Sequence, residues 1–212
     1  MKKHIFIYTT IVVSISLGYS SELKGSDYIL TQTGTTYTYQ RIDAGDNDIF
    51  LIETTIKNCN NDKTLCKYVS KIKDPSNKKI DGSESDYAYH IKENGAVYIK
   101  YPKSKKETLL LPANIKLSKV RSDNGSNANG EFTNSYEFTK QIPEINVNGT
   151  NYKNCIELNA NSNMKIKKQT IKTQSQEVYC KDIGLVKEIF EETHGSSSPT
   201  VYKSILSSVK KS

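Results

Sequence analysis

The sequence predicts an all-β or mainly β fold: one curved antiparallel sheet, half-barrel or barrel-like, of roughly ten to twelve strands. Three observations carry this expectation. Apolar and polar residues alternate with period two along most of the chain. No run of helical period is long enough to set a helix. Turn-forming Asn-Gly pairs and short Ser/Asn/Gly stretches punctuate the alternation at close intervals. The chain has 212 residues, 35% hydrophobic and 25% charged, with a mean hydropathy of -0.61. These values fit a single soluble domain over residues 21–212 and exclude a second large one.

The first element reads as an export signal. Met1, Lys2, Lys3 and His4 form a basic start, and Ile5 to Gly18 carries no charge. About 14 apolar residues are short of the roughly 20 that span a bilayer. Gly18 and Ser20 offer small residues for cleavage, which places the signal peptide at residues 1–20. No later stretch is long and apolar enough for a transmembrane helix, so a periplasmic or secreted protein is expected, not an integral membrane one. Lys2 and Lys3 leave with the signal and no acid does, so thirty basic residues become 28 against 23 acidic. That excess falls in small groups (Lys71, Lys73; Lys78, Lys79; Lys103, Lys105, Lys106; Lys165, Lys167, Lys168; Lys210, Lys211), as on solvated loops and edges. With Arg41 and Arg121 its only arginines, the chain is not expected to bind nucleic acid.

Strands follow in order. Tyr37 and Tyr39 share a face between Thr35 and Gln40; Phe50, Ile52 and Ile56 alternate next; Tyr87, Tyr89 and Ile91 oppose Ala88, His90 and Lys92. Asn94-Gly95 then predicts a hairpin into Val97, Ile99 and Tyr101. Phe132, Tyr136 and Phe138 mark a later strand, and Asn148-Gly149 a turn before Tyr152, Ile156 and Leu158. Further strands are expected at Met164 to Lys172, Gln176 to Cys180, Leu185 to Glu191 and Thr200 to Leu206, although Leu185, Val186, Ile189 and Phe190 would also line one side of a helix. Ser122 to Gly130 reads as a mobile loop or a boundary between halves. Tyrosine is abundant, phenylalanine sparse and tryptophan absent. Such tyrosines pair across sheets, and their sharper reading is a tyrosine-lined ligand groove.

Cys59, Cys66, Cys155 and Cys180 are an even set in an exported chain, which favours disulfides. Three pairings are open. Cys59 with Cys66 around an Asn-Asn-Asp turn, and Cys155 with Cys180 between strands, is the preferred one. No metal site is expected, because no Cys-x-x-Cys occurs and His90 and His194 do not share ligand spacing. No cofactor is expected either. His90 reads as an outward strand residue and His194 as part of a polar loop; no Gly-x-Ser-x-Gly, His-Glu-x-x-His or phosphate-cradling loop is present. Asp46 with Asp48 and Glu191 with Glu192 are acidic pairs of a kind common on turns. The expectation is a protein that is not an enzyme and has no catalytic residues. Asn124-Gly-Ser and Asn148-Gly-Thr match the N-glycosylation pattern, which in a bacterial chain means only turns.

Three stretches resemble a family of exported bacterial proteins of unknown function, often lipoproteins. They are Tyr28-Ile-Leu-Thr-Gln-Thr-Gly-Thr-Thr-Tyr-Thr-Tyr39, Val147-Asn-Gly-Thr-Asn-Tyr-Lys-Asn-Cys-Ile-Glu-Leu158 and Val178-Tyr-Cys-Lys-Asp-Ile-Gly-Leu-Val-Lys-Glu188. The last is similar to the family's Tyr-Ala-x-Gly-hydrophobic-Gly-Leu-Val-Lys signature. The chain departs from it with Cys180 at a small-residue position, Asp182 at the first glycine, and no tryptophan in its opening strand. The resemblance implies a half-barrel like that of periplasmic lipoprotein carriers, whose concave side can hold acyl chains. It supplies no catalytic residues and, through Cys180, reinforces the Cys155–Cys180 pairing. Taken together, the reading is a disulfide-stapled cell-envelope protein that binds a lipid or other envelope component. Tyr37, Tyr39, Tyr87, Tyr89 and Tyr136 are its candidate ligand-binding residues. The alternative is a secreted accessory or inhibitor that meets a protein partner through an edge strand or the 122–130 loop.

Overall fold

In the computed structural model, residues 22–76, 78–102, 104, 106–127, 130–166 and 169–211 are described. The signal-peptide reading over residues 1–20 lies outside them, as do Lys103, Lys105, Lys167 and Lys168. After a strap, 22–35, that contains one 3₁₀ turn at Gly25–Tyr28, the chain forms twelve strands. The first six are β1 (Thr36–Asp43), β2 (Ile49–Cys59), β3 (Leu65–Lys73), β4 (Lys79–Ile91), β5 (Val97–Lys100) and β6 (Thr108–Leu111). The second six are β7 (Arg121–Asn127), β8 (Gly130–Val147), β9 (Thr150–Ile166), β10 (Gln169–Cys180), β11 (Gly184–His194) and β12 (Thr200–Lys210).

All twelve belong to one antiparallel sheet in the order β6-β5-β4-β3-β2-β1-β12-β11-β10-β9-β8-β7. Each half of the chain is a six-stranded meander, and the first and last strands meet in the middle. Consecutive β6 and β7 are therefore the two opposite edges of the sheet. Laid flat, twelve strands at ~4.8 Å spacing would put those edges ~53 Å apart. The ten residue steps from Leu111 to Arg121 reach at most about 36 Å when fully extended. The sheet has to curl, and it does so without closing into a barrel.

Bulges supply the bending. Register shifts interrupt the ladders at Thr38/Tyr39, Ile56/Asn58, Lys71/Lys73, Phe138/Lys140 and Val178/Tyr179, and each extra residue sharpens twist and coil locally. At Val178/Tyr179 the extra residue is Val186 of β11, which is fully buried, while β10 keeps unbroken register with β9.

The strap crosses the curled sheet and ties its halves. Gly25 N donates to Pro112 O at 3.0 Å, Ser26 N to Gly95 O at 2.9 Å, Asp182 N to Asp27 O at 2.8 Å, and Ile115 N to Leu23 O at 2.8 Å. Around it lie two buried clusters. One gathers Tyr37, Ile56, Tyr68, Val178, Val186 and Leu206 with the cysteines Cys66, Cys155 and Cys180. The other joins Tyr28 of the strap to Val97 and Leu111 from the first half and Phe138, Ile156, Leu158 and Tyr179 from the second. There the approach of the two halves is sealed by apolar packing where a barrel would have hydrogen bonds.

Both disulfides bridge residues that stand directly opposite in an antiparallel ladder: Cys59 with Cys66 and Cys155 with Cys180, each with Cα atoms 4.0 Å apart. Asn148 and Gly149 both take positive φ, 49° and 81°, as a two-residue turn with the hand of the sheet demands. At Asn94-Gly95 the turn is different: only Gly95 is left-handed, at 86°, and Lys92 N bonds Ala96 O in a longer loop.

Two expectations are corrected. Ser122 to Asn127 is not a free loop but part of edge strand β7, paired with β8 from Arg121↔Tyr136 to Asn127↔Gly130, where the ladder satisfies its backbone groups; residues 128 and 129 lie outside the described residues. Met164 to Lys172 is not one strand but the end of β9 and the start of β10. The strand expected from Leu185 to Glu191 is present within β11, held by ladders on both sides, so its alternative helical reading falls away.

Gly25 is buried, and a Cβ there would lie 2.7 Å from both Leu111 Cβ and Pro112 O. Gly25→Ala is expected to lower stability by about 1–3 kcal/mol, visible as a fall of several degrees in the thermal midpoint. Loop entropy predicts that removing the Cys155–Cys180 bridge, which spans 25 residues, costs ~3 kcal/mol and removing the Cys59–Cys66 bridge, which spans 7, costs ~2 kcal/mol. Urea titrations of the two double-alanine variants would rank them.

Candidate functional site

Alternation puts Tyr37 and Tyr39 of β1, Ile52 and Thr54 of β2, Tyr68 of β3 and Tyr87 and Tyr89 of β4 on the concave face. With Tyr179, Ile183, Gly184, Leu185 and the strap residues Ile29 and Leu30 they line a cavity of about 200 Å³. That is smaller than a drug-sized pocket of ~300–1,000 Å³ and suits a single apolar chain or ring.

The rings form a continuous wall. Tyr68 stacks on Tyr87 at 5.3 Å and 5°, and Tyr89 meets Tyr68 at 4.6 Å and 57° and Tyr87 at 5.3 Å and 60°. Such offset and tilted contacts add stability beyond burial. The hydroxyls are turned to structural partners. Tyr37 donates to Ile183 O at 2.9 Å, Tyr39 to Leu185 O at 3.0 Å and Tyr68 to Leu30 O at 2.7 Å. Tyrosines of β1 thereby span the concavity to the β10–β11 region, and their ring carbons face the cavity.

Below the wall runs a polar row, read across the ladders: Leu158, Glu177, Glu188, Ser204, Arg41, Phe50. Glu177 accepts hydrogen bonds from Ser175 at 2.7 Å and from Tyr179 at 2.6 Å. Glu188 lines the cavity beside Ser204. Burial and the Glu177 charge push the Glu188 carboxyl above its ordinary range, against smaller opposing effects of Ser204 and Arg41. The Arg41 guanidinium lies 3.8 Å from the centre of the Tyr202 ring.

Four of the five candidate tyrosines, Tyr37, Tyr39, Tyr87 and Tyr89, come together in this cavity. Tyr136 does not. It lies in a separate cleft between the two sheet edges with Leu109, Leu110, Arg121, Asp123 and Phe138, because strand order sets β8 beside edge strand β7, far along the sheet from β1. Tyr68, Tyr179 and Glu188 were missed. Tyr68 shares a face with Cys66, a signal available in the alternation of Leu65–Lys73; Tyr179 shares a face with Glu177 on β10, but alternation alone does not say which face is concave.

The other polar candidates stand elsewhere. His90 Nδ1 lies 2.8 Å from Glu107 Oε1, and Lys92 Nζ 2.9 Å from Glu107 Oε2. Hydrogen bonds from these two hold the Glu107 carboxyl below its usual range. His194 Nε2 pairs with Glu192 Oε1 at 2.6 Å. Among the described residues no group of three His, Cys, Asp or Glu side chains is placed to hold a metal, and no helix is long and apolar enough to cross a membrane.

Burial raises the Tyr39, Tyr89 and Tyr179 phenols well above their ordinary value of 10.0. The folded state thus holds these protons more tightly than the unfolded chain, and the associated stability, complete below about pH 10, is lost as pH rises beyond it. Absorbance titration of phenolate should show these rings ionising only together with unfolding.

No protein-family model matches the sequence, and no curated protein matches it. Two solved structures share its fold. One, a predicted lipoprotein from Parabacteroides distasonis, superposes with a TM-score of 0.56 at 15% identity, covering 86% of this chain and 98% of the other. The second, a predicted exported protein with a YmcC-like fold from Bacteroides fragilis, gives 0.58 at 15%, covering 87% and 99%. The fold is therefore one seen in predicted exported bacterial proteins, and its two bridged cysteine pairs agree with an oxidising, extracytoplasmic setting.

Proposed function

We propose that this chain is an exported, non-enzymatic cell-envelope protein that binds a hydrophobic envelope ligand in the tyrosine-lined cavity of its half-barrel. The observation that carries the reading is the cavity itself: an apolar wall of tyrosine ring faces, with the Tyr37, Tyr39 and Tyr68 hydroxyls committed to backbone carbonyls and the Tyr179 hydroxyl to Glu177. A wall of that kind offers contact area and few new hydrogen bonds, so it favours an acyl chain or a hydrocarbon ring over a sugar. The basic residues Lys2 and Lys3, the uncharged run from Ile5 to Gly18 and a fold shared with predicted exported proteins support the location. A second reading, a docking module for another protein, draws on the two edge strands, each paired on one side only and flanking the cleft that holds Tyr136.

Native mass spectrometry of the protein purified from its envelope is expected to show a bound lipid. An uncharged fluorescent amphiphile, N-phenyl-1-naphthylamine, should bind and be displaced by that lipid. Ile52→Trp, which fills the cavity, should weaken probe binding by at least about tenfold, a loss of ~1.4 kcal/mol. Recovery of a stoichiometric protein partner by crosslinking, with no lipid and no probe binding, would favour the second reading.

A further inference from the structure

Glu177 and Glu188 stand directly opposite each other on neighbouring strands. Like charges so placed destabilise a sheet. Glu177 is satisfied by two hydroxyls, from Ser175 and Tyr179. Glu188 instead faces the cavity. Around Glu188 are Glu177 and Tyr179 of β10, Ser204 of β12, and Arg41 and Tyr39 of β1. Across the cavity stand Tyr68, Tyr87 and Tyr89 of β3 and β4. Arg41 is the one cation among these groups, and its guanidinium is placed against the Tyr202 ring.

We propose that occupancy of this cavity by an uncharged amphiphile is proton-linked through Glu188, with Glu177 setting the pH at which the link operates. The proposal rests on the binding reading above and deepens it. An apolar ligand expels water from the cavity and leaves Glu188 with less solvation for its charge. Binding therefore takes up a proton. The sign follows: affinity is low while Glu188 is ionised, rises as pH falls through its ligand-bound titration, and levels off once the free protein is protonated too. Desolvation and the Glu177 charge, which already raise the Glu188 pKa in the empty cavity, act in the same direction. Protonated Glu188 also becomes a donor, able to bond an ester or amide oxygen at the ligand's polar end.

The test titrates N-phenyl-1-naphthylamine against the full mature chain and its Glu188→Gln and Glu177→Gln variants. For the unaltered chain the affinity should rise at least about fivefold from about pH 8 to about pH 5. Glu188→Gln should bind at the acid-form affinity throughout, and Glu177→Gln should move the transition to lower pH. A ligand-free readout runs beside it: the thermal midpoint of Glu188→Gln should exceed that of the unaltered chain at neutral pH and converge with it on acidification. Probe binding with the same pH profile in the unaltered chain and Glu188→Gln would overturn the proton link and leave the binding reading standing. Absence of probe binding at every pH in all three proteins would overturn both.

Discussion

A connection of ten residue steps has to join the two far edges of a twelve-stranded sheet, and the rest of the molecule follows from that. Hydrogen-bond spacing fixes how wide the sheet would be if flat, and chain length fixes how far apart its edges can be. The first exceeds the second by roughly half, so curvature is obligatory. Bulges accommodate the bend, and the strap makes it permanent by bonding Pro112, Gly95 and Asp182 from its short span between Gly25 and Asp27. The gap left between β6 and β7 is closed on its inner side by Leu111, Phe138 and Leu158, which pack in one cluster without a shared ladder.

A curled sheet has an inside, and what fills the inside decides whether it is a core or a container. Here the fill is incomplete. Tyrosine is long enough to cross part of the concavity and tether its hydroxyl to the opposite backbone, as Tyr37 and Tyr39 do at Ile183 and Leu185. Aliphatic side chains in those places would collapse onto their own strands. The tyrosines act as struts, and a cavity of about 200 Å³ persists between them. Its floor carries Glu188 beside Ser204, an ionisable group in an apolar enclosure, in a fold shared with exported proteins that differ from it at most positions.

Parts of this arrangement were legible in the sequence because they are local. Asn148-Gly149 is a hairpin turn whatever surrounds it, since both residues tolerate positive φ. Tyr37 with Tyr39 and Tyr87 with Tyr89 are two residues apart on strands, so each pair had to share a face. The cysteine pairs sit opposite one another across ladders, Cys59 and Cys66 around a short turn and Cys155 and Cys180 on neighbouring strands, as alternation and parity favoured. Ser122 to Asn127 was misread because its composition is that of a loop, and only the long partner strand β8 recruits it into the sheet. Tyr136 was grouped with the wrong tyrosines because shared residue type and shared strand character say nothing about which part of a curved face a strand occupies.

Extended backbone, two-residue periodicity and the main turns are written in the sequence, because each depends on neighbours a few positions away, while the bridged cysteines were favoured by their even count. Which tyrosines meet, that Tyr179 is among them, and that Glu177 and Glu188 face each other across a ladder were settled by the folded arrangement. Those facts depend on strand order, register and curl, which arise from contacts between distant segments and from the limited reach of the β6–β7 connection.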